Sequence, residues 1–156
     1  MLFRSLIGKS DENLSGSEWA HLHGEIGNQS PNSNLEMESR LVKLLLDGQE
    51  IFESAHDLSN GGLAASLTES ILKNKVGAQI NLSNPALELF VETPGRVIVA
   101  IDPKNSDQLQ ALSNKHQIAI TKLGTTGGNS LNINDLEVSI DELNKAFTET
   151  FPKLFG

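Results

Sequence analysis

The sequence predicts an α/β (α+β) domain: a mixed sheet with helices mainly on one face. Two observations carry this. Apolar residues recur at helical spacing in some segments and alternate, or gather in short runs, in others. The two kinds of segment intermix along the chain with no repeat or heptad, the pattern of one layered domain. A third observation is size, because 156 residues with 38% hydrophobic and 21% charged content suffice for a single domain with a real core. The expected organisation is one domain over 1–156. Within it, 1–34 supply a first strand, a short helix and an exposed loop, and 35–156 form the main body.

Leu2-Phe3-Arg4-Ser5-Leu6-Ile7-Gly8 reads as a strand that starts abruptly. Ser15-Gly16-Ser17-Glu18 has the Ser-x-x-Glu spacing of a capping box, before a short helix through Trp19, Leu22 and Ile26. Residues 27–34 are rich in turn-formers and read as a loop. Asn34 can cap a helix to about Gly48, with Met37, Leu41, Leu44 and Leu45 on one face. Residues 51–57 suit a strand, and 59–75 suit a helix presenting Leu63, Leu67 and Ile71. Ala78, Ile80 and Leu82 alternate as in a half-buried strand, and 85–91 suggest a short helix. The nearly all-apolar run 96–101 predicts a central strand, covered on both faces or crowded by neighbours. Ser106 can cap a helix carrying Leu109 and Leu112. Residues 118–123 and 131–140 supply further strands, with Gly127-Gly128 as a hairpin turn between them. Ser139-Ile140-Asp141-Glu142 is a second capping box, opening a terminal helix through Leu143, Phe147 and Phe151 as far as Pro152.

Charge narrows the function. Twelve Lys and Arg against 20 Asp and Glu give a net charge of −8, the wrong sign for tracking phosphates, so nucleic acid and anionic membrane are not expected partners. The absence of cysteine excludes disulfides, thiol catalysis and thiolate metal sites. With no signal-peptide pattern and no apolar run near membrane length, the expectation is a soluble, cytoplasmic protein.

The sharpest motif is Ser54-Ala55-His56-Asp57-Leu58-Ser59-Asn60-Gly61-Gly62-Leu63. A strand ends, a turn follows and a helix begins. Such a junction aims free N–H groups at one point, and glycines let a ligand come close. A phosphate would be stabilised at Ser59, Asn60, Gly61 and Gly62, with Asp57 able to hold an accompanying Mg²⁺. The alternative is a helix cap on a tight turn, with Asp57 satisfying donors. In Glu92-Thr93-Pro94-Gly95-Arg96, a fixed turn before the apolar strand, Arg96 could pair with a phosphate or with Glu92. Alternatively this is only a turn with a surface ion pair. Gly124-Thr125-Thr126-Gly127-Gly128 lacks the Lys-Ser/Thr ending of a phosphate loop. The histidines show no ligand spacing, His56 and His116 having no carboxylate partner at such spacing. No Gly-x-Ser-x-Gly elbow occurs. The residues alone therefore offer a phosphate or Mg²⁺ contact and no nucleophile.

The motif at 54–64 resembles the Ser-Ala-His-Asp-x-Ser-Asp-Gly-Gly-Leu-Ala signature of the phosphoribosylformylglycinamidine synthase family, in its synthetase subunit. Leu6-Ile7-Gly8 with Leu14-Ser15-Gly16-Ser17-Glu18 is similar to that family's Leu-Gly-x-Thr…Gly-Gly-Ser-Glu stretch, and 89–97 to its Leu-Phe-x-Glu-Ser-x-x-Arg-Val segment. Leu123-Gly124, Gly127-Gly128, Leu131 and the helix at 139–147 match its carboxyl end, so the likeness covers essentially the whole chain.

This resemblance implies a carboxyl-terminal domain like that of aminoimidazole ribonucleotide synthetase (PurM), the last in a chain built from two copies of a domain pair. The abrupt first strand fits a cut between domains. The complete enzyme implied is an ATP- and Mg²⁺-dependent carbon–nitrogen ligase of purine biosynthesis. It activates the amide oxygen of formylglycinamide ribonucleotide, and ammonia from a glutaminase subunit or domain displaces phosphate. The family's catalytic His and most of its Mg²⁺ carboxylates have no matching position here, so no catalytic residue is expected and the isolated chain should be inactive. Asp57 matches a Mg²⁺-binding Asp of the first copy, and Glu92, Thr93 and Pro94 match its substrate-contacting Glu-Ser-Gln. In this last copy they would be relics or contacts of a second, pseudo-symmetric nucleotide site. Asn60 departs from the family's Asp, which weakens a metal role, and Thr93-Pro94 departs from Ser-Gln. Expected partners are the upstream synthetase domains, docked on an exposed sheet face through which the isolated chain could also form a homo-oligomer. Rivals are a related ATP-using synthetase or kinase, and a free-standing nucleotide- or protein-binding module.

Overall fold

The structure, a computed structural model, describes residues 1–149 apart from 26 and 28. The expectations placed on Ile26, Phe151 and Pro152 lie outside the described residues. The strands are β1 (Phe3–Ile7), β2 (Phe52–Asp57), β3 (Ala78–Ile80), β4 (Val97–Ile101), β5 (Ile120–Thr126), β6 (Ser130–Ile133) and β7 (Leu136–Ser139). The helices are α1 (Glu18–Leu22), α2 (Leu35–Asp47), α3 (Gly62–Asn74), α4 (Pro85–Glu88), α5 (Ser106–His116) and α6 (Ile140–Thr148). One seven-stranded sheet runs in the order β2-β4-β1-β5-β3-β6-β7. It is mixed, as expected: β3 and β6 pair in parallel, and the remaining pairs are antiparallel.

Helices lie on both faces, where mainly one was expected. The alternation along the buried strands shows why. In β4 every residue is buried, with Val97, Val99 and Ile101 in one core and Ile98 in the other. The first core packs α3, through Leu63, Leu67 and Ile71, onto Leu6, Ile98, Leu123, Ile80, Leu131 and Ile133, with Ile140 and Leu143 of α6 against it. The second packs Leu41 and Leu44 of α2 and Leu109 of α5 onto Ile7 and β4. This second layer stops at the middle of the sheet. Beyond it the uncovered face carries exposed Gln79, Lys122 and Glu137 and is polar. Lys122 Nζ lies 3.3 Å from the centroid of the Phe3 ring, closing the edge of the covered half.

Local chemistry sets the element ends. Asn34 Oδ1 accepts from Met37 N–H and starts α2, and Gly48 ends it. The Ser139/Glu142 capping box forms as expected and opens α6. The Ser15/Glu18 box does not form, because Ser17 is the cap, its Oγ accepting from Ala20 N–H at 3.2 Å. Ser106 is the first residue of α5 and not its cap; a 3₁₀ turn, Pro103–Asn105, capped by Asp102, leads into it. The single strand expected at 131–140 is split into β6 and β7 at Asn134, whose φ of 52° turns the chain back. Gly127-Gly128 does not join a hairpin. β3 lies between β5 and β6, and the turn closes on it through Gly127 N–H to Gly77 O and Gly77 N–H to Gly128 O. A Cβ at Gly77 would lie 2.2 Å from Ser130 O, so only glycine fits there.

Candidate functional site

β2 delivers the chain to the junction singled out in the sequence. Leu58 N–H donates to Arg96 O, the last link between β2 and the chain before β4. Gly61 and Gly62 follow with φ of 79° and 59°, the left-handed region that glycine enters without strain. What approaches them closely is this chain's own backbone. A Cβ at Gly62 would sit 2.7 Å from Val91 O and 2.8 Å from Leu89 O.

Two donors at the start of α3 are met from the same segment. Glu92 Oε1 accepts from Gly61 N–H at 2.8 Å and from Glu18 N–H at 2.7 Å, so one carboxylate caps α3 and α1 together. Ala64 N–H donates to Leu89 O and Gly62 N–H to Ser59 O. The anion that the turn was expected to attract is thus the side chain of Glu92, and Asp57 does not satisfy these donors.

Arg96 holds that segment in place, its hydrogen bonds going to this chain's own oxygens. Only 1% exposed, it donates from Nε to Thr93 O at 2.9 Å, from Nη1 to Ser10 Oγ at 3.0 Å and from Nη2 to Val91 O at 2.5 Å. Burial pulls its pKa down to about 10, against the opposing pull of Asp11 and Glu92. Asp11 N–H also donates to Thr93 Oγ1, tying the loop after β1 to the same turn.

The remaining predicted positions face solvent. The Asp57 carboxylate is 80% exposed, and Ser59 and Asn60 are exposed beside it. His56 sets its Nε2 2.7 Å from Glu69 Oε2 and its Nδ1 2.7 Å from Asp57 O. His116 Nε2 lies 2.9 Å from Asp47 Oδ2, so both histidines have the carboxylate partners that local spacing did not reveal. Among the described residues no group of three or more His, Asp or Glu could hold a metal ion. A single exposed carboxylate does not make a magnesium cage, and the α3 N-terminus is closed by Glu92, so the residues present fit neither Mg²⁺ nor a nucleotide phosphate by themselves. Beside the turn lies an apolar groove of about 370 Å³ between α1, α3 and α6, lined by Trp19, Leu22, Ala64, Phe90, Leu143 and Phe147. Among the described residues no helix is long and apolar enough to cross a membrane.

A mixed sheet with this double-capped turn at the foot of α3 defines a class that comparison identifies. The chain belongs to the family described as AIR synthase related protein, C-terminal domain, whose model matches residues 4–133. Within it, the chain is 42% identical over 154 residues to the phosphoribosylformylglycinamidine synthase subunit PurL of a Nocardioides species, covering 97% of this chain and 20% of that protein. It is 38% identical over 159 residues to the PurL subunit of Thermobifida fusca, covering 97% and 21%. The chain therefore spans about one fifth of these relatives' length. The fold is shared with Thermotoga maritima PurL complexed with FGAR, at a TM-score of 0.72 and 17% identity over 91% of this chain and 27% of that one. A thiamine-monophosphate kinase from Stenotrophomonas maltophilia aligns with a TM-score of 0.62 and 16% identity, over 88% and 51%.

Proposed function

We propose that this chain is the last carboxyl-terminal domain of a phosphoribosylformylglycinamidine synthase, contributing to an ATP- and Mg²⁺-dependent ligase of purine biosynthesis without catalysing the reaction alone. The observation that carries this reading is 42% identity to PurL across 97% of the chain. In the complete enzyme, ATP supplies the phosphoryl group that activates the amide oxygen of formylglycinamide ribonucleotide, and a glutaminase subunit or domain supplies the ammonia.

This chain's share is architectural. Arg96 and Glu92 fix the 91–93 segment against the start of α3. That leaves Asp57, Ser59 and Asn60 at the surface to meet the upstream domains at a second nucleotide site. A cytoplasmic setting belongs to the same reading.

The test is reconstitution. The upstream four fifths of the Nocardioides relative should regain ammonia-dependent amidine formation when this chain is added, while the chain alone should form no product and give no calorimetric heat with Mg·ATP. Product from the chain alone, or no rescue by a folded chain, refutes the reading. Heat with Mg·ATP that disappears in Asp57→Ala would replace it with a free-standing nucleotide-binding module.

A further inference from the structure

At the opposite end of α3 from the Asp57 turn, about 20 Å away along 13 helical residues, lies a second cavity of about 310 Å³. Its lining includes Arg4 from β1, Glu53 and Ser54 from β2, Asn74 at the end of α3 and Thr126 at the end of β5. Arg4 is only 4% exposed, and its Nε and Nη1 have no hydrogen-bond partner among the described residues. A guanidinium carries five N–H donors and stays charged, so burying it unpaired is costly unless something anionic meets it. Burial lowers its pKa, in keeping with an environment that opposes the charge.

The polar neighbours do not supply that anion. Asn74 is used by the helix, its Nδ2 donating to Ser70 O at 2.8 Å. Thr126 Oγ1 accepts from Leu2 N–H at 2.9 Å, which leaves its hydroxyl hydrogen to donate. Ser54 adds a second hydroxyl donor, just after the irregularity that shifts the β2 register between Phe52 and Ser54. Glu53 is exposed at the rim, and its carboxylate makes no ion pair with Arg4.

We propose that this cavity binds a small oxyanion, a phosphate or a carboxylate group, held by the Arg4 guanidinium with the Ser54 and Thr126 hydroxyls as further donors. The assignment rests on a buried guanidinium, with two nitrogens unpartnered among the described residues, lining a space of suitable size, and is independent of the synthase reading. Glu53 opposes the ligand at the rim and limits its affinity.

Calorimetric and thermal-unfolding titrations of the chain with inorganic phosphate and with acetate, at matched ionic strength, test this. Saturable binding of at least one is expected, weakened tenfold or more in Arg4→Met and tightened severalfold in Glu53→Gln. Because Arg4→Met replaces a buried unpaired charge by an apolar chain of similar length, its unfolding midpoint without anion should rise by several degrees. Tighter phosphate binding would assign the site to phosphorylated compounds, and tighter acetate binding to carboxylic acids. No saturable binding of either ion overturns the proposal, as does undiminished binding in Arg4→Met. A midpoint lowered in both Arg4→Met and Glu53→Gln also overturns it, because Glu53 would then be the counter-ion of Arg4.

Discussion

At the amino end of α3, backbone N–H groups converge where a phosphate would be welcome, and the chain fills the position with Glu92. At the carboxyl end of the same helix a guanidinium lies buried, and no side chain of the described residues pairs with it. The first region carries a conspicuous sequence motif and is electrostatically closed. The second sits in an ordinary-looking strand and is open. A motif advertises a geometry, and only the three-dimensional count of donors and acceptors shows whether that geometry has room for a ligand.

The largest effect expected from breaking the closed end is at Arg96. Arg96→Met leaves the buried carbonyls of Val91 and Thr93 without their donor, and should cost about 3 kcal/mol in urea unfolding. A loss below about 1 kcal/mol would mean the 91–93 segment is held by something other than this guanidinium.

Glu92→Gln sharpens the contrast at smaller cost. The amide oxygen can still accept a hydrogen bond, but the charge facing two helix starts is gone, worth about 1 kcal/mol. If this carboxylate stands in for a phosphate, the variant should gain calorimetric heat with Mg·ATP. If the closure is purely structural, no heat appears.

The smallest effect belongs to a contact remote from both ends. Hydrogen bonds from Lys115, and then from His116, hold the Asp47 carboxyl below its ordinary value of 3.8. A depressed carboxylate stabilises the fold above its unfolded pKa and loses that contribution as pH falls toward the folded one. Stability should therefore drop below about pH 4, and Asp47→Asn should flatten that acid limb in a pH series of thermal unfolding. An unchanged limb would show that the α2–α5 contact does not report on acid stability.

Local features were legible in the sequence. Asn34 and the Ser139/Glu142 box mark their helix starts because cap and donor lie three residues apart. The five apolar residues of β4 announced a strand buried on both sides. What escaped was held by distance along the chain. Glu92 reaches Gly61 across 31 residues, and His116 reaches Asp47 across 69. The turn at Gly127-Gly128 has hairpin chemistry, yet β3, folded much earlier in the sequence, occupies the place where a hairpin partner would pair. In the candidate site, the turn and its glycines are visible in the sequence, but the backbone of 89–91 that packs against Gly62 is not, because it comes from nearly thirty residues away.

The position of β1 has a consequence for how this molecule comes into being. Phe3 pairs with Ile101 on one side and Thr125 on the other, so β1 gains its first sheet neighbour only with residues 97–101 and its second only with residues 120–126. Its partners are non-local on both sides, which places the domain among slow folders whose rate is governed by long loop closures. During synthesis β1 stays without a sheet neighbour until β4 has followed it, and β6 and β7 complete the sheet last, at one edge.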